Sequence, residues 1–258
     1  MEKSLSENAM RLLNKVPEVT IFFWIIKIMA TTVGETGADF LNFNLHLGLT
    51  ATSLIMAVLL LISLFVQIRT KKYIPWIYWI AVVLISVVGT LITDNLTDNF
   101  GVSLKTTTIV FSLALLATFI VWYASEKTLS IHTIYTPRRE LFYWAAILFT
   151  FALGTAAGDL VAEDLKLGYV TSALIFGAMI GIVTFAYYVF KANAVLAFWI
   201  AYILTRPFGA SCGDYLSQSH ANGGLGFGTV TTSATFLLII LGLVIFLSIH
   251  KEKPADQK

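Results

Sequence analysis

The chain has 258 residues, 57% of them hydrophobic and 12% charged, with a formal net charge of +2 and a mean hydropathy of +0.81. A soluble domain of this length would expose more apolar surface than water tolerates, so this composition excludes one. The single cysteine, Cys212, excludes an internal disulfide and any cysteine-based metal site.

Apolar runs recur near 19–38, 49–68, 74–94, 106–124, 141–158, 169–190, 194–213 and 229–249. Runs of roughly 18 residues or more are long enough to cross about 30 Å of hydrocarbon. Helix is the economical spanning state, because each segment then satisfies its own backbone hydrogen bonds. A transmembrane β-barrel would instead show alternating segments of about ten residues. The expected fold is therefore all-α, an integral membrane protein of eight transmembrane helices. No cleaved signal peptide is expected, since the first run contains Lys27 and belongs to an internal repeat.

Basic residues are distributed unevenly along this layout. Lys3, Arg11, Lys15, Arg69, Lys71, Lys72, Lys127, Arg138, Arg139, Lys191, Lys251, Lys253 and Lys258 lie at the termini or after even-numbered helices. The opposite loops hold only Lys105 and Lys166. The positive-inside rule then places both termini in the cytoplasm. The resulting division is a cytoplasmic segment 1–18, repeat 1 at 19–68, repeat 2 at 74–124, a cytoplasmic linker at 125–140, repeat 3 at 141–190, repeat 4 at 194–249 and a tail at 250–258.

The repeats rest on one pattern. Aromatic–Trp pairs stand at Phe23-Trp24, Tyr78-Trp79, Tyr143-Trp144 and Phe198-Trp199. Each Trp is followed ten residues later by Gly34, Gly89, Gly154 or Gly209, and each glycine five residues later by Asp39, Asp94, Asp159 or Asp214. The Trp-to-Trp spacings of 55, 65 and 55 relate two duplicated halves by a shift of 120. Pro17 and Pro137 obey that shift, at the expected starts of odd helices, as do Gly48 and Gly168 before even helices. Each unit crosses twice, so all four two-helix repeats share one orientation, unlike inverted-repeat transporters. Hydroxyl clusters open the even helices: Thr50, Thr52 and Ser53; Thr106, Thr107 and Thr108; Thr171 and Ser172; Thr231, Thr232 and Ser233. Their first role is close helix packing and cross-helix hydrogen bonding.

Fifteen residues of helix from Trp to Asp rise about 22 Å, which puts the aspartates toward the outer side. Four such helices around one axis would gather four carboxylates there. Aspartates at helix ends can also be merely solvated, and Trp24, Trp79, Trp144 and Trp199 are expected to anchor at the interface or to pack. A carboxylate within the membrane is costly and is kept chiefly where it pairs or functions. Asp39, Asp94, Asp159 and Asp214, together with Glu35, are therefore the candidate ion-binding residues, with Gly34, Gly89, Gly154 and Gly209 as motif glycines. Glu35 breaks the symmetry, because the other copies have Thr90, Thr155 and Ala210 there. Lys27 and Arg206 break it too, and both are expected to pair with acidic groups on neighbouring odd helices or to gate. Pro207 after Arg206 predicts a kink. Asp98, Glu163 and Asp164 make an acidic mouth that is either attractive to cations or simply solvated. His46 and His220 read as surface histidines, and Cys212 as a packing residue.

The string Ala30-Thr31-Thr32-Val33-Gly34-Glu35-Thr36-Gly37-Ala38-Asp39 resembles a bacterial family of membrane-anchored proteins built from a short repeat of unknown function with a Gly-Glu-Thr-x-x-Asp signature. The first copy matches the full signature. The other three keep Gly and Asp without Glu-Thr. The resemblance implies the repeat architecture and a multi-pass place in the bacterial inner membrane, and it supplies no substrate.

Carboxylate and hydroxyl oxygens suit hard ions. The leading expectation is a transporter or channel-like carrier of a small cation, such as Mn²⁺ or Mg²⁺, with no resident cofactor. No P-loop is present, so transport would be secondary or passive. A scaffold, sensor or regulatory subunit using the linker for docking is the alternative. An intramembrane enzyme is third: Gly158-Asp159 and Gly213-Asp214 faintly resemble intramembrane aspartyl proteases, which use two unlike motifs, whereas this chain has four alike. The expected partners are the lipid bilayer and the cation, with self-association compatible and no nucleic acid.

Overall fold

The computed structural model describes residues 14–44 and 47–250. Lys3, Arg11, Lys251, Lys253, Lys258 and His46 lie outside the described residues. Eight long helices follow one another: α1 Ile21–Asp39, α2 Leu49–Arg69, α3 Pro75–Asp94, α4 Leu104–Glu126, α5 Pro137–Asp159, α6 Tyr169–Val189, α7 Ala194–Ser217 and α8 Gly228–His250. All eight are long and apolar enough to cross a membrane.

The helices form two layers. α1, α3, α5 and α7 bury more than half of their apolar windows, whereas α2, α4, α6 and α8 bury less than a quarter. The odd helices make a closed inner ring in which α1 packs on α3, α3 on α5, α5 on α7 and α7 on α1. The even helices stand outside and are apolar all round, as a lipid-facing layer requires.

The two-helix sequence unit is not a packed hairpin. Each even helix packs chiefly on the odd helix of the following repeat: α2 on α3, α4 on α5, α6 on α7, and α8 back on α1. Hydroxyls at the even-helix starts fasten this offset. Ser172 Oγ on α6 meets Ser211 Oγ on α7 at 2.8 Å, and Ser233 Oγ on α8 meets Thr36 Oγ1 on α1 at 2.7 Å. Ser211 and Thr36 each follow a motif glycine by two residues, so these bonds are equivalent under the repeat.

Local sequence explains most helix boundaries. Pro75 and Pro137 occupy first-turn positions where a missing N–H costs nothing. Pro17 does not start α1. Thr20 caps that helix instead, accepting from the Phe23 N–H at 3.4 Å, because residues 14–16 are held away by the linker. Gly48 and Gly168 precede α2 and α6 with φ of +74° and +77°, a conformation open to glycine and strained for residues with a Cβ. In α1, α3 and α5 the motif aspartate ends the α-helix, and a π-helical turn follows at Phe40–Asn44, Asn95–Asn99 and Leu160–Asp164.

The end opposite the aspartates is clasped shut. Lys15 Nζ donates to Glu140 Oε2 at 2.7 Å and to the Ile68 carbonyl at 2.9 Å, while Gln67 Nε2 donates to Glu140 Oε1 at 3.1 Å. Lys15, Gln67 and Glu140 are all buried. Backbone bonds from Lys15 N to Ile134 O and from Tyr73 N to Asn14 O, at 2.9 and 3.1 Å, stitch the N-terminal segment to two loops. The central linker is correspondingly tight. Helix reaches Glu126 and restarts at Pro137, and between them Ile131 and Ile134 are buried.

Candidate axial ion site

Four-residue layers, one residue from each odd helix, stack along the ring axis. The lowest is aromatic. Each residue preceding a motif Trp packs on the Trp of the next repeat: Phe23 on Trp79, Tyr78 on Trp144, Tyr143 on Trp199 and Phe198 on Trp24, with ring centroids 5.7, 5.5, 6.2 and 5.7 Å apart. Trp79, Trp144 and Trp199 are buried and Trp24 is half-buried. They lie inside the bundle as an interlocked pinwheel, and Tyr78 and Tyr143 share a hydroxyl hydrogen bond of 2.5 Å within it.

The motif glycines make the next closed circuit. A Cβ on Gly34 would strike Ser86, one on Gly89 would fall 2.5 Å from Phe151 Cβ, one on Gly154 would strike Arg206, and one on Gly209 would strike Thr31. Every residue met stands three positions before the next repeat's own glycine. Absence of a side chain is what lets the four odd helices touch closely, as small residues do at membrane helix interfaces.

Symmetry breaks in the charged layers. Lys27 is fully buried, donates to the Tyr202 carbonyl at 2.9 Å and to Thr205 Oγ1, and sits over the rings of Tyr202 and Phe151 at 4.3 and 5.3 Å. No carboxylate pairs with it among the described residues; hydroxyl, carbonyl and ring faces take that role. Arg206 is also fully buried. Its Nη2 donates to Glu35 Oε2 at 2.9 Å, to Thr155 Oγ1 at 2.7 Å and to Thr90 Oγ1. Glu35, Thr90 and Thr155 each follow a motif glycine by one residue, so one guanidinium reaches the same level of the three other odd helices. Helix α7 runs through Pro207.

Beyond Arg206 lie the carboxylates. One oxygen each from Glu35, Asp159 and Asp214 falls within 4.8 Å of the others. Glu35 and Asp214 are buried and Asp159 is half-buried. The other two candidates stand apart from this group. Asp39 accepts from Gln218 Nε2 at 3.4 Å, and both Asp39 and Asp94 are half-buried. Glu35 nevertheless interacts electrostatically with all four aspartates, and Arg206 with Asp94 and Asp159. The arrangement is thus a lopsided cluster centred on Glu35.

The remaining candidates are peripheral. Glu163, Asp164 and Asp98 are exposed at the rim; Glu163 accepts from Tyr169 at 3.0 Å and Asp164 pairs with Lys105 at 3.5 Å. His220 contacts the Gly224 carbonyl at 3.0 Å. Cys212 lines an apolar groove of about 540 Å³ between α6 and α7. Thr90 and Thr155 gained no role from sequence, although the register after each glycine marks them. The Lys15–Glu140–Gln67 clasp was also missed, and its charged members read there only as topology markers or as part of the linker.

Ring, offset outer layer and axial charges define a four-repeat, eight-helix bundle of membrane-spanning dimensions. The model of the Repeat of Unknown Function (DUF347) matches residues 22–73, 77–128, 142–193 and 197–252, and the chain belongs to that family. No curated protein and no solved structure matches it.

Proposed function

We propose that this protein is a multi-pass carrier or channel-like transporter of a small hard cation, most simply a divalent ion such as Mn²⁺ or Mg²⁺. The observation that carries this reading is the convergence of Glu35, Asp159 and Asp214 from three helices to within 4.8 Å. Oxygens bound to one shared ion at about 2.1–2.6 Å lie no more than about 4–5 Å apart, so only small movements are needed to ligate. Among the described residues Arg206 hydrogen-bonds only Glu35 of these three, which leaves oxygens of Asp159 and Asp214 for a cation. The resemblance to bacterial membrane proteins supports an inner-membrane location. The basic residues after even helices support cytoplasmic termini, with the carboxylates toward the outer face.

The test is Mn²⁺ binding by the purified full chain in detergent, paired with Mn²⁺ uptake into proteoliposomes. Wild type binds and transports, while the double variant Asp159→Asn/Asp214→Asn inserts normally and does neither. Equal uptake by both proteins would overturn the proposal.

A further inference from the structure

We propose that Arg206 is a tethered counter-cation that competes with the transported ion for Glu35 and closes the axial path behind the carboxylates. This rests on the cation-carrier reading above. The guanidinium is fully buried and contacts Glu35, Thr90 and Thr155 from α7, so it spans the ring at one level. A cation leaving the carboxylates along the axis meets Arg206 first and Lys27 next. Both stand over the same Phe151 ring, at 5.7 and 5.3 Å from its centroid. The guanidinium alone makes this axis a barrier to cations unless Arg206 moves.

Its attachment is suited to release. All three contacts use Nη2, while Nε and Nη1 are buried without partners. A forked, two-point grip on the carboxylate would be the tighter arrangement, and it is not used. The next residue, Pro207, has no N–H to give the carbonyl four residues earlier, at Ile203, which leaves α7 a pivot beside the arginine. The Arg206 stem lies against the bare Gly154 backbone, where an added Cβ would strike it. When an ion engages Glu35, the charge that held Arg206 is shared, and the guanidinium is freed to swing out of the path.

The inference is tested by Mn²⁺ titration of purified full-length protein. Arg206→Gln removes the competitor and is expected to bind Mn²⁺ with a Kd roughly tenfold lower than wild type or better. Arg206→Lys, which keeps the charge without the guanidinium's reach, should shift in the same direction by a smaller factor and covers the case in which Arg206→Gln does not fold. In proteoliposomes either variant should give a passive Mn²⁺ leak. Unchanged or weaker binding would make Arg206 a fixed support for Glu35 and overturn the proposal. If wild type itself binds no Mn²⁺, it is the carrier reading that fails.

Discussion

Glu35 and Arg206 lie 171 positions apart in the chain, and their side chains meet at 2.9 Å inside the bundle. The pair fastens the first repeat to the last. Removing one member of such a pair strands the other charge without a partner, which costs about 3–5 kcal/mol in buried settings. Glu35→Gln should therefore lose stability on that scale in detergent unfolding. The double variant Glu35→Gln/Arg206→Met should recover a large part of the loss. A single-variant cost near zero would mean that Thr90 and Thr155 alone satisfy the guanidinium.

Glycine substitutions should divide by place. Gly34, Gly89, Gly154 and Gly209 each abut a neighbouring helix, so alanine there overpacks the ring and should cost about 1–3 kcal/mol apiece. Gly181 and Gly242 meet nothing within 4 Å. Alanine at those two sites should be neutral or stabilising by up to about 1 kcal/mol through helix propensity. Thermal unfolding of the six single variants checks the division, and a uniform response would refute the close-contact role.

The clasp at the other end predicts non-additivity. Lys15→Met or Glu140→Gln alone should destabilise by about 3 kcal/mol or more, since each leaves a buried partner unsatisfied. Replacing both with methionine should be far milder than the sum. A double-mutant cycle on unfolding midpoints measures the coupling.

Within the aromatic layer, Tyr78→Phe or Tyr143→Phe removes one side of the 2.5 Å hydroxyl pair. Each should cost about 1–3 kcal/mol by leaving an orphaned buried hydroxyl, and the double variant should be closer to wild type than either single. Equal losses from the singles with a strictly additive double would show that the hydroxyls find other partners.

Much of the architecture was legible because membrane spans announce themselves by length and the repeat by exact register. Asp159 and Asp214 could be placed at one end of one ring from the common Trp–Gly–Asp spacing. The neighbour across each interface could not. Spacing within a helix says nothing about which helix sits beside it, so the offset of α2 onto α3 and the collision partners of the glycines needed three dimensions. From sequence Arg206 either pairs with an acid on an adjacent odd helix or gates, and it meets Glu35 of α1. The same expectation for Lys27 fails on pairing, since it meets a hydroxyl, a carbonyl and two rings. A sequence marks a buried charge but not the weaker groups that satisfy it. Lys15 reads from sequence only as a topology marker and Glu140 only as part of the linker, because nothing local shows that two loops fold over them.

The offset of the outer helices carries a consequence for how such a chain is made and inherited. During synthesis α4 lacks its bed until the second half arrives, and α1 stays uncovered until α8 returns to it. A single half is therefore an open arc with one bare inner helix and one unclaimed outer one. Two identical arcs placed head to tail would satisfy each other, which is the simplest ancestor for a chain whose halves differ by a shift of 120. The same logic means that the protein severed in its linker should reassemble from two separately expressed polypeptides.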